Sequence, residues 1–357
     1  MALTRVVLSD FRNLVSVDIE PGPGLNIFVG SNGAGKTSFL EAIVYLARGR
    51  PLRSGRSGRI IRDGAEISRV VVETSGGSGV HRLGFEIASS ALRLRCDGER
   101  AASFLDLGRH LPVRFFGPDS QLLVDGGPEV RRSFLDWGLF HVEHDSLSVM
   151  SSYRRALRQR NRMLSEKRLS PGNDVFATEL GRHGQRWTAL RTDHVEKLAE
   201  QLSEETEELT RYGPITLQYK PGYAIDVGLI AELESHIQVD LDRLYTGVGC
   251  HRADLDVRLA GRGLKGRISR GQQKMTTYRL LRAQAKLLSA DLGRDPIFLI
   301  DDLGSELDPN ASSAILDDLR GQGWQVFASV LPGTLDRTQY PDAQWFHVEQ
   351  ETIQPVL

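Results

Sequence analysis

Residues 30–37, with the sequence GSNGAGKT, constrain the fold of this chain more than any other feature. They match the pattern G-x-x-x-x-G-K-[ST]. The apolar segment LNIFV precedes them and the helix-periodic segment SFLEAIVYL follows. A strand, a glycine-rich loop and a helix in this order form a loop whose backbone N–H groups converge on a phosphate. The chain is therefore predicted to contain an α/β domain built around a phosphate-binding loop.

This loop supplies most of the residues that we assign to a bound nucleotide. The ammonium of Lys36 is predicted to span the β- and γ-phosphate oxygens, and the hydroxyl of Thr37 is predicted to bind Mg²⁺. The predicted nucleotide contacts in the loop are Gly30, Ser31, Asn32, Gly33, Ala34, Gly35, Lys36, Thr37 and Ser38. The loop therefore predicts a nucleoside triphosphate and Mg²⁺ as cofactors, and the resemblance described below implies that the nucleotide is ATP.

Residues 297–302, IFLIDD, supply the carboxylates that phosphate hydrolysis requires. Four apolar residues followed by two acids are typical of a buried strand that ends at a site. Asp301 is predicted to bind Mg²⁺ together with Thr37, and Asp302 to orient or deprotonate the attacking water. Lys36, Asp301 and Asp302 are thus the predicted catalytic residues. The structural alternative is a strand end whose acids are only solvated.

Composition and charge leave the partners open. The 357 residues are 40% hydrophobic and 25% charged, as in ordinary globular proteins, and the formal net charge is -1. A nearly neutral chain neither predicts nor excludes a nucleic-acid partner. Cys96 and Cys250 have neither metal-binding nor disulfide spacing. Because no apolar run suits a signal peptide or a membrane span, the chain is predicted to be soluble and cytoplasmic.

The hydrophobic pattern predicts two domains, one of them discontinuous. Residues 1–115 contain short strands, including an antiparallel meander at about residues 67–97. Residues 116–211 are predicted to form a helical lobe with two long arms. Residues 212–357 return to an alternation of strands and helices, with a helix near residues 229–244 and then a basic loop region before the helix that follows Ser269. If the first and last regions share one sheet, the helical lobe is an insertion between them.

Residues 268–274, ISRGQQK, open a second predicted helix with an anion-binding type of start. The alternative is that Ser269 only caps that helix. The order of the glycine-rich loop, this segment, IDD and SELD resembles that of the ABC-type ATPases. In such proteins this signature segment faces the γ-phosphate held by the other subunit. The resemblance therefore implies an ATP-dependent homodimer, with Ser269, Gly271 and Gln272 as nucleotide contacts.

Several further segments make the resemblance more specific. LSDFRN, FFGPDSQLLVDGGPEVRRSFLDW, HRADL, SRGQQK and IDDLGSELD resemble the RecF family of bacterial recombination mediators, over nearly the whole chain. The fold implied is α/β, an ABC-type P-loop ATPase head that combines a mixed sheet, an antiparallel β subdomain and an inserted helical lobe. The activity implied is a weak, DNA-stimulated ATPase whose dimer binds double-stranded DNA at gaps. With RecO and RecR it would load RecA in repair, replication restart and the SOS response.

The resemblance also extends to single residues outside the loop. Arg12 and Asn13 of the FRN segment resemble residues that touch the nucleotide from the N-terminal strand. Two positions depart from the family pattern: Ser120 stands where a second acid is usual, and Ala253 interrupts a segment that commonly reads HRDD. No histidine follows WQVFAS, so Ser329 is predicted at the switch position of transporter-type ABC ATPases.

Clusters of arginine and lysine are the candidate contacts to DNA phosphates. The predicted DNA contacts are Arg53, Arg56, Arg59, Arg154, Arg155, Arg158, Arg262 and Lys265. A site for single-stranded DNA requires aromatic residues interleaved with the basic ones, on which bases can stack. These clusters have no such aromatic residues, so binding to the backbone of duplex DNA is favoured. Two alternatives stay open. The basic helical arm pairs with the acidic arm, or the loop arginines serve the nucleotide or the dimer.

Three other functions compete with this hypothesis. A transporter-type ABC ATPase predicts a switch histidine, which the sequence lacks after WQVFAS. Another SMC-like head predicts long heptads beside the helical lobe, which is too short for them. A small-molecule P-loop kinase leaves SRGQQK and SELD without a role.

Overall fold

The computed structural model describes residues 1–52, 60–76, 79–349 and 351–356. Its contacts divide the chain into two units. The first unit contains Met1–Ser120 and Leu288–Leu357, and the second contains Gln121–Leu287. The structure thus groups residues 212–287 with the helical segment, whereas the sequence pattern predicted them in the discontinuous domain. The physical reason is that strands in this region pack on helices of the lobe.

Strands predominate in the N-terminal part of the described chain, helices in the middle, and both occur in the C-terminal part. The strands are β1 Ala2–Phe11, β2 Leu14–Ile19, β3 Leu25–Val29, β4 Ile67–Gly76, β5 Gly79–Ala88, β6 Ala91–Cys96, β7 Glu99–Arg100, β8 Val113–Phe116, β9 Ile215–Lys220, β10 Asp254–Leu259, β11 Arg262–Gly263, β12 Ile297–Ile300, β13 Gln325–Val330, β14 Gln344–Glu349 and β15 Thr352–Pro355. The helices are α1 Lys36–Arg48, α2 Phe104–Gly108, α3 Leu122–Asp125, α4 Pro128–Val142, α5 Ser146–Ser165, α6 Val175–Ser203, α7 Glu207–Thr210, α8 Leu229–Ser235, α9 Ile237–Arg243, α10 Arg270–Leu292 and α11 Pro309–Gly321.

A largely parallel sheet forms the centre of the first unit. Its strand order is β15-β14-β3-β13-β12-β8, and all neighbours run parallel except β14 and β15. The N-terminal strand β3 lies between the C-terminal strands β13 and β14, so the two ends of the chain share one sheet, as predicted. Strand β12 is buried at all four positions, which explains its continuous apolar run.

A second, antiparallel sheet completes the first unit. Its order is β2-β1-β4-β5-β6-β7, which confirms the predicted meander. One core joins this sheet, helix α1 and the central sheet, with Phe11, Phe28, Phe39 and Phe85 among its members. The rings of Phe28 and Phe39 stack with centroids 4.7 Å apart. The α/β class with an antiparallel subdomain is therefore confirmed.

The second unit combines helices with a small sheet of order β11-β10-β9. The two predicted arms are α5 and α6, and residues 166–174 connect them. Two expectations were wrong in detail. The single helix predicted at residues 229–244 is divided at His236 into α8 and α9. The basic loop predicted before Ser269 contains β10 and β11. Strand β10 pairs with β9, and every second side chain of β10 is buried.

A partly buried histidine lies in the second unit. The Nδ1 atom of His251 accepts from the hydroxyl of Tyr153 at 2.9 Å, and its Nε2 atom donates to the carbonyl of Thr246 at 3.0 Å. Burial lowers the pKa of His251 to about 4. Between pH 6.5 and pH 4 the unfolded chain therefore binds a proton that the folded chain excludes, and folding is penalised as the pH falls.

This histidine makes the stability of the second unit dependent on pH. From pH 7 to pH 5, we expect its protonation in the unfolded chain to remove about 2 kcal/mol of unfolding free energy. Replacement His251→Gln should flatten this part of the pH dependence, whereas His144→Gln at an exposed position should leave it unchanged. Urea unfolding at the two pH values measures the difference. Equal pH dependence in all three proteins would contradict the assignment of His251.

None of the helices in the described part of the chain has the length and apolar character that crossing a lipid bilayer requires.

Candidate functional site

The parallel sheet brings the predicted loop and the predicted acids to one edge. Strand β3 ends immediately before the glycine-rich loop, and β12 ends immediately before Asp301. Strand β13 lies between them and carries Ser329 near its end. Because all three strands are parallel, their carboxyl ends meet at the same edge of the sheet, where ligands bind in open α/β folds. The predicted phosphate loop, the two acids and Ser329 therefore lie together.

The loop adopts a conformation that requires glycine at two positions. Gly33 and Gly35 have φ angles of 81° and 118°, in the left-handed region. A Cβ atom at Gly30 would collide with the carbonyl of Val348, so the close approach of the two backbones also requires glycine at that position. Helix α1 begins at Lys36, and no described side chain caps it. Its first N–H groups therefore face an anion site that its dipole also favours.

Lys36 is held inside the loop. Its Nζ atom donates to the carbonyls of Gly30 at 2.5 Å and Ser31 at 2.8 Å. Burial lowers the pKa of Lys36, and attraction to Asp301 and Asp302 partly opposes this. A phosphate in the loop would add negative charge beside the ammonium and favour its charged form. The ammonium is thus positioned to bind a phosphate, and Asp301 and Asp302 only partly offset the cost of burying its charge.

Asp301 is the centre of a hydrogen-bonded cluster. The hydroxyl of Thr37 lies 2.9 and 3.0 Å from its two carboxylate oxygens. The hydroxyl of Ser329 donates to the same carboxylate at 2.7 Å and accepts from the amide of Asp302 at 2.9 Å. Asp302 itself has a positive φ of 54°, which is uncommon for a residue other than glycine. Ser329 therefore holds both Asp301 and Asp302 in place. These contacts show its position beside the acids, and its role as a switch residue stays a prediction.

The oxygens of Thr37 and Asp301 fit a shared magnesium ion. Two neighbouring ligands of an octahedral Mg²⁺ lie about 2.9 Å apart, since each is about 2.05 Å from the metal. The hydroxyl–carboxylate distances match that separation without movement of either residue. No group of three or more His, Cys, Asp or Glu side chains in the described ranges could hold a metal. A metal here would take its remaining ligands from phosphate and water, as Mg²⁺ usually does.

Arg12 and Asn13, for which the FRN segment predicted contact with the nucleotide, line the same cleft. Arg12 has a φ of 58°, and its guanidinium donates twice to Glu41 of α1, at 2.6 and 3.0 Å. Asn13 donates to the carbonyl of Gly33 at 3.0 Å and accepts from Ser38 at 2.6 Å. These contacts anchor the N-terminal strand to the loop and to the first turns of α1.

Glu41 is a site residue that sequence reasoning missed. It is almost fully buried, although an acid in the apolar segment after a phosphate loop is unexpected. That mismatch was the available signal, because a buried carboxylate needs a cation or donors. Besides Arg12, it accepts from the amide of Leu52 at 2.9 Å. Glu41 therefore holds Arg12 in the cleft.

Releasing Arg12 should weaken nucleotide binding without removing it. In the variant Glu41→Gln, one charge-assisted contact to Arg12 is lost, and we expect about tenfold weaker ATP binding. Asp18→Asn is the matched control, because Asp18 pairs in the same way with Arg5 on the antiparallel sheet. Titration with a fluorescent ATP analogue measures both. Equal affinity of the two variants would show that Arg12 does not need Glu41.

The cleft itself has a volume of about 920 Å³. Its walls include Arg12, Lys36, Asp301 and Ser329, and it has the size of drug-like and cofactor pockets. Ile61, Asp63 and Pro118 also line it and were not singled out from the sequence. All of these residues belong to the first unit.

The signature residues lie in the second unit, at the start of α10. The hydroxyl of Ser269 accepts from the amide of Gln272 at 3.3 Å, and the side chain of Gln272 accepts from the amide of Ser269 at 2.9 Å. This is a capping box, so Ser269 has the helix-capping role considered above. It is also exposed, and Gly271 is half-buried. Capping and contact to a partner's nucleotide are compatible.

The two departures from the family pattern each have a local structural role. The hydroxyl of Ser120 accepts from the amide of Gly117 at 2.9 Å and closes the turn after β8. Ala253 is fully buried, and its carbonyl accepts from Arg132 at 2.7 Å. Neither residue lines the cleft.

The predicted DNA contacts fall into three groups. Arg53, Arg56 and Arg59 lie outside the described residues. Arg154, Arg155 and Arg158 are exposed on α5. Arg262 and Lys265 are exposed at the hairpin of β10 and β11. Arg154 also pairs with Asp136 at 3.1 Å.

Comparison with known proteins gives a consistent result. The family model for the RecF/RecN/SMC N-terminal domain matches residues 2–343. The chain is 34% identical over 357 residues to the DNA replication and repair protein RecF of Shewanella denitrificans, covering 99% of both chains. It is 37% identical over 343 residues to RecF of a Marinomonas species, covering 95% of this chain and 93% of the relative.

Solved structures show the same fold. A structure of the recombination mediator protein RecF with ATP in the RecFOR pathway superposes with a TM-score of 0.86 at 23% identity, covering 99% of this chain and 97% of that one. An Smc head bound to the C-terminal winged-helix domain of ScpA gives a TM-score of 0.62 at 14% identity, covering 100% and 97%. Both likenesses concern the fold.

Proposed function

This chain belongs to the RecF family, within the RecF/RecN/SMC class of ATPases, and we propose that it is an ATP-dependent, DNA-binding recombination mediator. The observation that carries the proposal is the meeting of Lys36, Thr37, Asp301 and Asp302 in one cleft. A phosphate-binding loop facing two strand-end acids is the arrangement for nucleoside triphosphate hydrolysis. The relatives are named for replication and repair of DNA.

Within the cleft, each residue has a defined task in the proposed hydrolysis. The loop amides and Lys36 bind and orient the phosphates, with Arg12 and Asn13 at the nucleotide's other side. Thr37 and Asp301 would hold Mg²⁺, which when bound neutralises charge on the β- and γ-phosphates. Asp302, fixed through its amide by Ser329, orients or deprotonates the attacking water. The proposed activity is a weak ATPase that acts as a switch.

The proposed switch is a dimer closed by ATP. Ser269, Gly271 and Gln272 of one chain would contact the γ-phosphate bound at Lys36 of the partner subunit. The exposure of Ser269 supports this, because a signature residue must reach another chain. A nucleotide that tightens the dimer a hundredfold must supply about 2.7 kcal/mol of differential binding. Two charge-assisted hydrogen bonds per site are sufficient for that.

The proposed DNA partner is duplex DNA, bound through phosphates. Arg154, Arg155 and Arg158 support this because they are exposed on one helix. Arg262 and Lys265 form a second proposed group, at the hairpin. Phosphate binding by arginine releases counterions, so DNA affinity should fall steeply with salt. DNA binding at gap junctions should in turn stimulate ATP hydrolysis.

The basic face of α5 can be tested directly. The triple variant Arg154→Ala, Arg155→Ala, Arg158→Ala should bind a 30-base-pair duplex at least tenfold more weakly and with a shallower salt dependence. The matched control replaces Arg82, Arg93 and Arg95, which are exposed on the antiparallel sheet. Fluorescence anisotropy with ATP present measures both. Equal losses in the two triple variants would indicate nonspecific attraction rather than a binding face.

The proposed cellular role follows from the family. With RecO and RecR, the dimer would promote loading of RecA at single-strand gaps, in repair, replication restart and the SOS response. The solved RecF described as part of the RecFOR pathway supports these partners. The proposed location is the cytoplasm, at the nucleoid.

A further inference from the structure

Strand β10 of the second unit has one edge that is only partly covered. Along one side, β9 pairs with β10 over its full length. On the other side, β11 pairs only with Arg258 and Leu259. The chain then turns, and the amide of Arg267 donates to the carbonyl of Leu264 at 3.1 Å. Residues 254–257 are therefore an open strand edge in the described part of the chain.

The register fixes which backbone groups face this edge. The amide of Ala260 donates to the carbonyl of Pro214, so the even-numbered residues of β10 bond to β9. The backbone groups of Leu255 and Val257 consequently point to the open side. The amide of Leu255 is satisfied by the carboxylate of Asp254 at 2.8 Å. Arg258 faces Gly263 as a non-hydrogen-bonded pair, so the flanking ladder bond joins the carbonyl of Val257 to the amide of Leu264. The amide of Val257 and the carbonyl of Leu255 are left facing the open side.

A groove with a volume of about 410 Å³ runs along the same edge. The turn between α3 and α4 forms its opposite wall, with Gly126, Gly127 and Pro128. Leu255, Val257 and Leu264 supply apolar lining. Four residues of an open edge span about 13 Å, the length of a short added strand. The groove therefore has the backbone groups and the length for an extended segment.

The charges of the groove favour an acidic occupant. Its own acids are already paired: Asp254 receives two hydrogen bonds from Arg131, at 2.7 and 2.9 Å. Asp256 pairs with Lys220 and Arg258, at 3.3 and 3.2 Å. Lys265 and Arg267 also line the groove, are exposed, and have no acidic partner within the described ranges. The groove thus presents two cations beside an unpaired strand edge.

We propose that this groove binds an extended acidic segment of a partner protein, which adds a strand to β10. The segment's backbone pairs with Val257, and its acidic side chains reach Lys265 and Arg267. This role for Lys265 differs from the DNA contact proposed above. Duplex DNA offers phosphates to the two cations, but it has no peptide groups to pair with the amide of Val257 and the carbonyl of Leu255, and no apolar side chains to fill the lining. The strand edge therefore favours a peptide.

The test uses the full chain and a fluorescein-labelled nonapeptide of alternating glutamate and valine. Fluorescence anisotropy should show saturable binding that weakens at least tenfold in Lys265→Glu, Arg267→Glu. The matched control, Lys167→Glu, Arg168→Glu, changes two exposed cations elsewhere in the same unit and should bind normally. A peptide with lysine in place of glutamate, and an acidic peptide N-methylated at alternate amides, should each lose binding.

Hydrogen exchange identifies the contact independently of any variant that could misfold. The amide of Val257 should gain protection when the acidic peptide is added and none when a 30-base-pair duplex is added. Displacement of the peptide by duplex DNA together with an unprotected Val257 would assign the cations to DNA and overturn the proposal. Equal binding of the acidic and basic peptides, or no effect of N-methylation, would also overturn it. Self-association abolished by the charge reversal would instead identify a second copy as the occupant.

Discussion

The variant Lys36→Ala is expected to lose at least 100-fold in affinity for ATP and, with it, the ATP-dependent retention of DNA. Lys36 is the cation at the floor of the cleft, and the carbonyls of Gly30 and Ser31 hold its ammonium. No other described residue places an ammonium inside the loop. Because phosphate binding in a closed loop depends on a charge-assisted contact, its removal affects both ground-state binding and hydrolysis.

The controls separate this effect from a loss of folding. Lys197→Ala removes a half-buried lysine of α6, which pairs with Asp193 at 3.1 Å, and should leave ATP binding unchanged. Lys36→Met keeps the aliphatic part of the side chain and should lose binding as Lys36→Ala does. Calorimetric titration with ATP and Mg²⁺, together with a thermal unfolding curve, measures both properties. A Lys36→Met variant that binds ATP normally would contradict the assignment of the loop.

The variant Ser269→Arg is expected to retain ATP binding and to lose the ATP-dependent dimer. Nucleotide binding depends on the first unit, whereas Ser269 begins α10 in the second. Replacing the signature hydroxyl by a bulky cation should weaken the dimer at least 100-fold, which corresponds to about 2.7 kcal/mol. Sedimentation velocity with ATP and Mg²⁺ measures the dimer, and a fluorescent ATP analogue measures binding.

Loss of the helix cap must be distinguished from loss of the contact between subunits. Ser103 provides the matched control, because it forms the same capping box with Asp106 at the start of α2. Ser103→Arg should cost about 1 kcal/mol of stability and leave dimerisation unchanged. If Ser269→Arg still dimerises with ATP, then Ser269 is only a cap and the contact to the partner subunit is wrong.

The sequence was sufficient to predict the parts of the site that depend on local pattern. The loop at residues 30–37 and the acids after β12 are each specified by a few consecutive residues. Their convergence follows from one geometric rule, since the carboxyl ends of parallel strands share an edge. Ser329 was singled out by resemblance, at the switch position of transporter-type ABC ATPases. Its bonds to Asp301 and Asp302 required the structure.

Features that depend on contacts between distant residues were not predicted. The pair Arg12 and Glu41 joins the turn after β1 to α1, and neither residue's local sequence pattern specifies the other. Strand β14 was missed because its pairing partner β3 lies more than 300 residues earlier, and β15 was missed with it because β15 pairs with β14. Strand β10 was read as part of a basic loop, because its charged side chains alternate with buried residues. In each case tertiary burial outweighed local composition.

The most direct test of the account is ATP turnover per chain as a function of protein concentration. It should be measured with and without duplex DNA, at low and at moderate salt. If the cleft is completed by the signature segment of the partner subunit, turnover per chain rises with concentration, and duplex DNA raises it further in a salt-sensitive way. Turnover that is independent of concentration and indifferent to DNA would contradict the composite site.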